Sequence, residues 1–316
     1  MRSGLLRGLE VGTPTPATVT SWHHRDVALD ALVAAKDGRR ISVCIPARNE
    51  ASTVGDIVAC IEARLATKRP RQPCLVDEIL VIDDHSTDNT ANIAAQAGAR
   101  VVDARTVLPE YGDGHGKGEV LWKSVFVAEG DLIIWCDGDI AAFDERFITG
   151  IAIPLVVDSG VAFSKGFYDR PEAEGIGGGR VTELVARPLL SMFFPQLCGI
   201  RQPLSGEYGG RRDVLEQLPF VQGYGVDVGL LIDIEALAGM AAIAQVDLDV
   251  RHHRNRPLSE LSPQAMAVAS TILHKARPGL VAADAPLQHA DGTIDLVDVA
   301  ERPALVELAA YLARTA

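Results

Sequence analysis

Two hydrophobic rhythms alternate along the chain. Ile41 to Pro46 switches between apolar and polar positions and stops at a proline, which predicts a strand ending in a loop. Ser52 to Leu65 then carries the spacing of an amphipathic helix. Glu78 to Asp84 predicts a second strand, ending in two carboxylates. Behind it, Ser86, Thr87, Asp88 and Asn89 offer short polar side chains suited to capping a helix that runs to Gly98. Arg100 to Val102 supplies a short third strand. Four glycines between Gly112 and Gly118 predict a loop, with a helix from Glu119 to Ala128 after it. Asp131 to Cys136 is apolar without alternation, as expected of a strand covered on both faces, and it ends in Asp137-Gly138-Asp139. Strands alternating with helices predict an α/β fold around a mostly parallel, Rossmann-like central sheet, whose ligands gather beyond the carboxyl ends of the strands.

Past residue 160 the pattern is mixed. It predicts a strand over Gly160 to Tyr168, helices over Val181 to Met192 and Ile232 to Met240, and a strand over Gln245 to Arg251. Four segments follow: a loosely held arm at 1–25, where Pro14 and Pro16 disfavour regular structure, then 26–160, 161–276, and a tail with an Ala/Leu-rich helix at 277–316.

Charge narrows the ligand class. Thirty Lys+Arg face 42 Asp+Glu, a formal net charge of -12, which excludes chain-wide affinity for nucleic acid or anionic lipid and requires any anionic ligand to meet a local basic site. Cys44, Cys60, Cys74, Cys136 and Cys198 are scattered with no C-x-x-C spacing, so they predict free thiols in a reducing cytoplasm rather than a zinc site. No apolar run is long enough to span a membrane, and the N-terminus lacks a sustained apolar stretch, so a cytoplasmic location is expected.

Asp137 and Asp139 follow a buried strand one residue apart, where two carboxylates can share a hard divalent cation that bridges two phosphates. The same edge carries Asp83 and Asp84, which can accept from a nucleobase or ribose hydroxyl, while Ser86 and Asp88 serve equally well as helix caps. Together these loops suit a nucleotide.

The segments Ile-Pro-Ala-Arg-Asn-Glu at 45–50, Val-Ile-Asp-Asp-His-Ser-Thr-Asp-Asn-Thr at 81–90 and Asp-Gly-Asp at 137–139 resemble the nucleotide-sugar half of GT-A glycosyltransferases of the family-2-like group. More specific are Gly-Lys-Gly-Glu at 116–119 with Leu-Trp at 121–122, Gly-Gly-Gly-Arg-Val-Thr-Glu-Leu-Val-Ala-Arg-Pro-Leu-Leu at 177–190, and Gln-Pro-Leu-Ser-Gly-Glu-Tyr at 202–208. Gly-Tyr-Gly-Val-Asp-Val-Gly-Leu-Leu at 223–231 and His-Arg-Asn-Arg-Pro-Leu at 253–258 complete the set. From about residue 40 to 275 the chain resembles the glucosyl-3-phosphoglycerate synthase family of actinobacteria and the related mannosyl-3-phosphoglycerate synthases.

That resemblance implies transfer of glucose from UDP-glucose to the 2-hydroxyl of 3-phosphoglycerate, with retention and with Mg²⁺ or Mn²⁺ required. It implies a nucleotide-sugar part, a smaller acceptor-binding C-terminal part, and a homodimer for which the apolar helices after residue 180 offer a face. Asp139 would coordinate the metal with His253, and Asp137 would hold ribose or metal-bound water. Pro46, Ala47, Arg48 and Glu50 would line the uridine pocket, Asp84 would meet base or ribose, and Lys117 and Gly138 would lie by the nucleotide. Tyr224, Asp227 and Arg251 would complete the donor site, with Asp227 and Asp139 as the catalytic pair. Gly179, Arg180, Thr182 and Asn255 would hold the acceptor, where backbone N–H groups at a helix start and a guanidinium suit a phosphate or carboxylate. His253 sits among Arg251, Arg254 and Arg256, a place for phosphate, while His252 points the other way if the segment is extended.

Departures from the family pattern bear on the donor. Glutamate usually stands where Asp227 does, and the shorter side chain withdraws its oxygens by roughly 1.5 Å. Arg48 replaces an apolar residue, and Gly138 and Ser205 are milder changes. No carboxylate presents itself as a covalent nucleophile, so same-face attack is expected, with the departing diphosphate taking the acceptor proton. The alternatives are a mannosyl transferase using GDP-mannose, a family-2 enzyme with another acceptor, a non-catalytic nucleotide-sugar-binding protein, and a nucleotidyltransferase. The last would want a glycine-rich basic loop where Pro46 to Glu50 stands. The product's destination, glucosylglycerate or a methylglucose lipopolysaccharide, depends on other enzymes.

Overall fold

The computed structural model describes residues 18–66, 73–114, 116–172, 175–177, 179–251, 261–282 and 284–315. In its first half, β1 (Thr20–His23), α1 (Leu29–Ala35), β2 (Ile41–Ala47), α2 (Val54–Ile61), β3 (Glu78–Asp83), α3 (Thr90–Gln96), β4 (Arg100–Asp103), α4 (Lys117–Val127), β5 (Leu132–Trp135) and α5 (Arg146–Val157) follow in order. The second half contains β6 (Phe163–Glu172), β7 (Gly175–Gly177), α6 (Arg187–Phe193), β8 (Tyr208–Arg211), α7 (Arg212–Leu215), β9 (Phe220–Val221) and α8 (Val226–Ala238). It ends with β10 (Ile243–Val250), α9 (Ser262–Ala276), β11 (Asp284–Gln288), β12 (Ile294–Asp298), β13 (Glu301–Arg302) and α10 (Ala309–Thr315).

One sheet organises these elements, in the order β1-β10-β6-β8-β5-β2-β3-β4, with β7 paired to β6. Its strands run parallel except β7, antiparallel to the end of β6, and β8, which lies antiparallel between β5 and β6 and places Tyr208 beside both Trp135 and Lys165. The carboxyl ends of β2, β3, β5, β6 and β10 therefore share one edge, and β8 begins there.

Apolar residues are buried on both faces of the sheet. In β5, Ile133 and Trp135 pack with α4 and α8, while Leu132 and Ile134 pack with α2 and α5. That double burial is why the sequence there shows no alternation.

Several elements differ from expectation, among them β6, which runs to Glu172. Helix α4 starts at Lys117, two residues ahead of the expected Glu119, and includes Gly118, where a Cβ would lie 1.8 Å from the Val221 carbonyl oxygen. The glycine marks close packing rather than a loop. Helix α8 starts at Val226, six residues ahead of the expected Ile232; Val226 to Ile232 is wholly buried, so no polar face marks its first turns. Within the arm expected at 1–25, Thr20–His23 forms the edge strand β1, hydrogen-bonded to β10, and Asp249 of β10 is bonded to His23 and His24 at 3.1 and 2.8 Å.

The stretch after residue 277 carried no functional expectation, yet it packs over the sheet edge. Trp122 Nε1 donates to the Pro303 carbonyl at 2.8 Å, and Arg302 pairs with Glu119, whose side chain is fully buried.

Candidate active site

Loops at the carboxyl edge are laced together before any ligand is considered. The β2 loop turns at Asn49, with φ +58°, and Asn49 Oδ1 accepts from the Thr87 N–H at 2.8 Å. Ser86 Oγ accepts from the Asn49 N–H at 3.0 Å and Thr90 Oγ1 from the Glu50 N–H at 2.8 Å. The polar run after β3 thus ties β3 to β2, besides any capping: Asp88 Oδ1 accepts from the Thr90 N–H at 3.0 Å. Thr53 Oγ1 donates to the Gly138 carbonyl at 2.6 Å, joining the loop after β5. Asp84 is buried, and its Oδ2 accepts from the Gly116 N–H at 2.9 Å, which fixes the glycine-rich loop one residue before Lys117.

Charges converge at the end of β5. Lys117 Nζ lies 3.1 Å from Asp137 Oδ1 and 3.2 Å from Asp227 Oδ1, joining the first turns of α4 and α8. Arg251, buried at the end of β10, reaches Asp137 Oδ2 at 3.4 Å and Asp139 Oδ1 at 3.3 Å. Its Nη1 also lies 2.7 Å from Glu207 Oε1 and donates to the Tyr168 hydroxyl at 2.8 Å. Burial alone would raise the Asp137 carboxyl, but Lys117 and Arg251 outweigh it and hold the group well below the usual carboxylate range. Lys117, despite its burial, is held well above 10.5 by Asp137 and Asp227. Asp137 fits this space because Gly206 leaves it: a Cβ there would lie 1.9 Å from Asp137 Oδ2.

Asp137 and Asp139 fit a divalent ion. Asp137 Oδ2 and Asp139 Oδ1 converge on Arg251 through long contacts, Asp137 Oδ1 turns to Lys117, and the Asp139 side chain is 41% exposed. Oxygen donors of that kind suit Mg²⁺ or Mn²⁺.

These groups line a cavity of about 830 Å³. Its walls include Pro46, Ala47, Arg48 and Glu50 after β2, Asp84 after β3, Lys117 on α4, and Asp137, Gly138 and Asp139 after β5. Tyr224, Asp227 and Arg251 stand beside them, and Gly179, Arg180 and Thr182 form a further part of the wall. Gly179 has φ +75°, and its carbonyl accepts from the Glu183 N–H at 2.8 Å as the helix begins. His253 and Asn255 lie outside the described residues, as do His252, Arg254 and Arg256.

Several wall residues had no place in the sequence expectation. Arg170 lies two residues past the expected end of its strand, where a cation at a carboxyl edge was the available signal. Arg201 and Gln202 come from the loop before β8, and Gln264, Leu296 and Asp298 from α9 and β12. Nothing local in the sequence links that last group to the site.

Residues 42–180 match the family model described as Glycosyl transferase family 2. The chain is 43% identical over 300 residues to the glucosyl-3-phosphoglycerate synthase of Mycolicibacterium smegmatis, covering 91% of this chain and 96% of that one. It is 44% identical over 263 residues to the Petrotoga mobilis protein of that name, covering 81% and 80%. The crystal structure of glucosyl-3-phosphoglycerate synthase from Mycobacterium tuberculosis in complex with Mn²⁺, UDP-glucose and phosphoglyceric acid superposes with a TM-score of 0.82 at 40% identity, covering 93% of this chain and 99% of that one. The mannosyl-3-phosphoglycerate synthase of Rubrobacter xylanophilus superposes with a TM-score of 0.82 at 35% identity, covering 92% and 97%. With relatives matched along nearly the whole of both chains, the protein belongs to the glucosyl-3-phosphoglycerate synthase family.

Proposed function

We propose that this chain transfers glucose from UDP-glucose to the 2-hydroxyl of 3-phosphoglycerate, with retention at the anomeric carbon, giving glucosyl-3-phosphoglycerate and UDP. The observation that carries this is one cavity holding both a carboxylate pair suited to a diphosphate-bound cation and, across from it, the Gly179–Arg180–Thr182 helix start suited to an anionic acceptor. Similarity to relatives of that name supports the choice of donor and acceptor.

In this reading Pro46, Ala47, Arg48 and Glu50 hold the uridine, and Asp84 meets base or ribose. Asp139, with Asp137 beside it and His253 from the segment after Arg251, holds a divalent cation, which when bound offsets the charge on the departing diphosphate. Lys117 and Arg251 flank Asp137 and bring two further positive charges to that diphosphate. Tyr224 and Asp227 orient the sugar. The bond from the anomeric carbon to the diphosphate oxygen breaks, the acceptor 2-hydroxyl oxygen bonds to the same face, and its proton passes to the departing diphosphate. Asp227, whose Oδ1 lies 3.2 Å from Lys117 Nζ, orients the sugar in this reading rather than attacking it. Gly179, Arg180, Thr182 and Asn255 hold the acceptor.

The enzyme acts as a homodimer in this reading. The helix that includes α6 leaves Leu184, Met192 and Phe193 exposed, a face that a second copy would cover. Five free thiols suit a reducing cytoplasm.

The test is release of UDP, GDP or ADP from the matching sugar nucleotides, with and without 3-phosphoglycerate and Mg²⁺, and mass spectrometry of the product. Turnover of UDP-glucose that needs both additions is expected. Preference for GDP-mannose would overturn the donor, and turnover indifferent to 3-phosphoglycerate would overturn the acceptor.

A further inference from the structure

Arg170 is a cation in the cavity wall that the reaction described above leaves unused. Of a guanidinium's five N–H donors, one from Nη2 reaches the Tyr168 hydroxyl at 3.1 Å. The Nε atom is buried and has no hydrogen-bond partner among the described residues. Among the described residues no carboxylate pairs with Arg170, whereas Lys117 and Arg251 each touch at least two. In a chain of net charge -12, a cavity-lining guanidinium that no described carboxylate pairs is most simply explained by an anion that arrives with the ligand.

Its place identifies which anion. The Tyr168 hydroxyl accepts from Arg170 Nη2 at 3.1 Å and from Arg251 Nη1 at 2.8 Å, so the two nitrogens lie within about 6 Å of each other. Arg251 in turn contacts Asp137 and Asp139, at the donor end of the cavity. In 3-phosphoglycerate the carboxylate is bonded to the carbon that bears the reacting hydroxyl, while the phosphate is one carbon further away. The anionic group held nearest the donor end must therefore be the carboxylate.

Resting on the proposed acceptor, we infer that Arg170 binds the carboxylate of 3-phosphoglycerate, and that the helix start at Gly179, Arg180 and Thr182 takes its phosphate. A guanidinium grips a carboxylate through two parallel N–H bonds, so this contact also fixes the rotation of the carbon that carries the 2-hydroxyl.

The experiment uses two truncated acceptors as competitive inhibitors: D-glycerate, which keeps the carboxylate, and sn-glycerol 3-phosphate, which keeps the phosphate. In Arg170→Met, inhibition by D-glycerate and the KM for 3-phosphoglycerate should each weaken about tenfold or more. Inhibition by glycerol 3-phosphate and the KM for UDP-glucose should stay within about twofold. Arg170→Lys, which keeps the charge and loses the fork, should fall between wild type and Met. Equal weakening of both analogues, or an unchanged D-glycerate constant, would overturn the inference. If the wild-type enzyme shows no turnover dependent on 3-phosphoglycerate, the acceptor reading itself fails, a result separable from any behaviour of Arg170.

Discussion

Lys117 and Asp227 meet at 3.2 Å across the cavity floor, so the first turns of two helices far apart in sequence are joined by one ion pair. Because Lys117 also touches Asp137, the same ammonium holds a carboxylate of α8 and one of the loop after β5 at a fixed separation. Lys117→Met removes the shared partner of two largely buried carboxylates. We expect a loss of about 3 kcal/mol in urea unfolding and about a hundredfold fall in kcat/KM for the donor. Unchanged stability would mean the carboxylates are solvated rather than paired.

Lys165 sits buried with its ammonium 4.0 Å from the Tyr208 ring centre and 3.0 Å from the Ser205 carbonyl. Burial pulls its pKa down to about 8, against partial opposition from Asp227. Between about pH 8 and its ordinary value of 10.5, the unfolded chain binds more protons at this site than the folded one. Its contribution to stability therefore rises with pH across that window, and its cost is fully present below 8. Unfolding free energies measured from pH 7 to 10 should show the wild type gaining on Lys165→Met as pH rises; parallel curves would refute the assignment. Cys44 and Cys136, whose thiols burial pushes up, act in both proteins alike and cancel in the difference.

Gly206 is defined by what stands against it. With a Cβ 1.9 Å from Asp137 Oδ2, Gly206→Ala must displace that carboxylate from Lys117 and Arg251. The fold should lose about 1–3 kcal/mol from overpacking, and kcat/KM should fall about a hundredfold. Activity within threefold of wild type would show that Asp137 can move without consequence.

Arg302 reaches Glu119 in the first turn of α4 and donates through Nη1 to the Tyr111 carbonyl at 2.6 Å. Among the described residues Lys123, at 2.9 Å, is the cation left to Glu119 if Arg302 is lost. Arg302→Ala should therefore cost about 3 kcal/mol and raise the KM for the donor through the neighbouring Lys117, as chemical unfolding and initial rates would read. A loss of stability without a change in KM would confine the C-terminal segment to a structural role.

The parts of this molecule that the sequence made legible are those where chemistry is local. Asp84, Asp137 and Asp139 each follow a buried apolar run, and a strand that stops on a carboxylate places it at the sheet edge whatever the rest of the chain does. Lys117 was legible through its glycines, although Gly118 turned out to serve packing against Val221. The start of α8 was not, because a helix buried on all sides has no polar face to reveal its period. Gln264, Leu296 and Asp298 reach the cavity only through tertiary packing, which no spacing within their own segments records.

The pairing of β1 with β10 sets Thr20 beside Ala244, and the same strand β10 carries Arg251 to the carboxylates of the β5 loop. A chain emerging from the ribosome completes Asp137 and Asp139 long before it makes the guanidinium that gathers them. Contacts so distant along the sequence close late and slowly. Until then Asp137 has Lys117, made earlier in the chain, and the final closure of the sheet edge is what brings Arg251 between the two carboxylates.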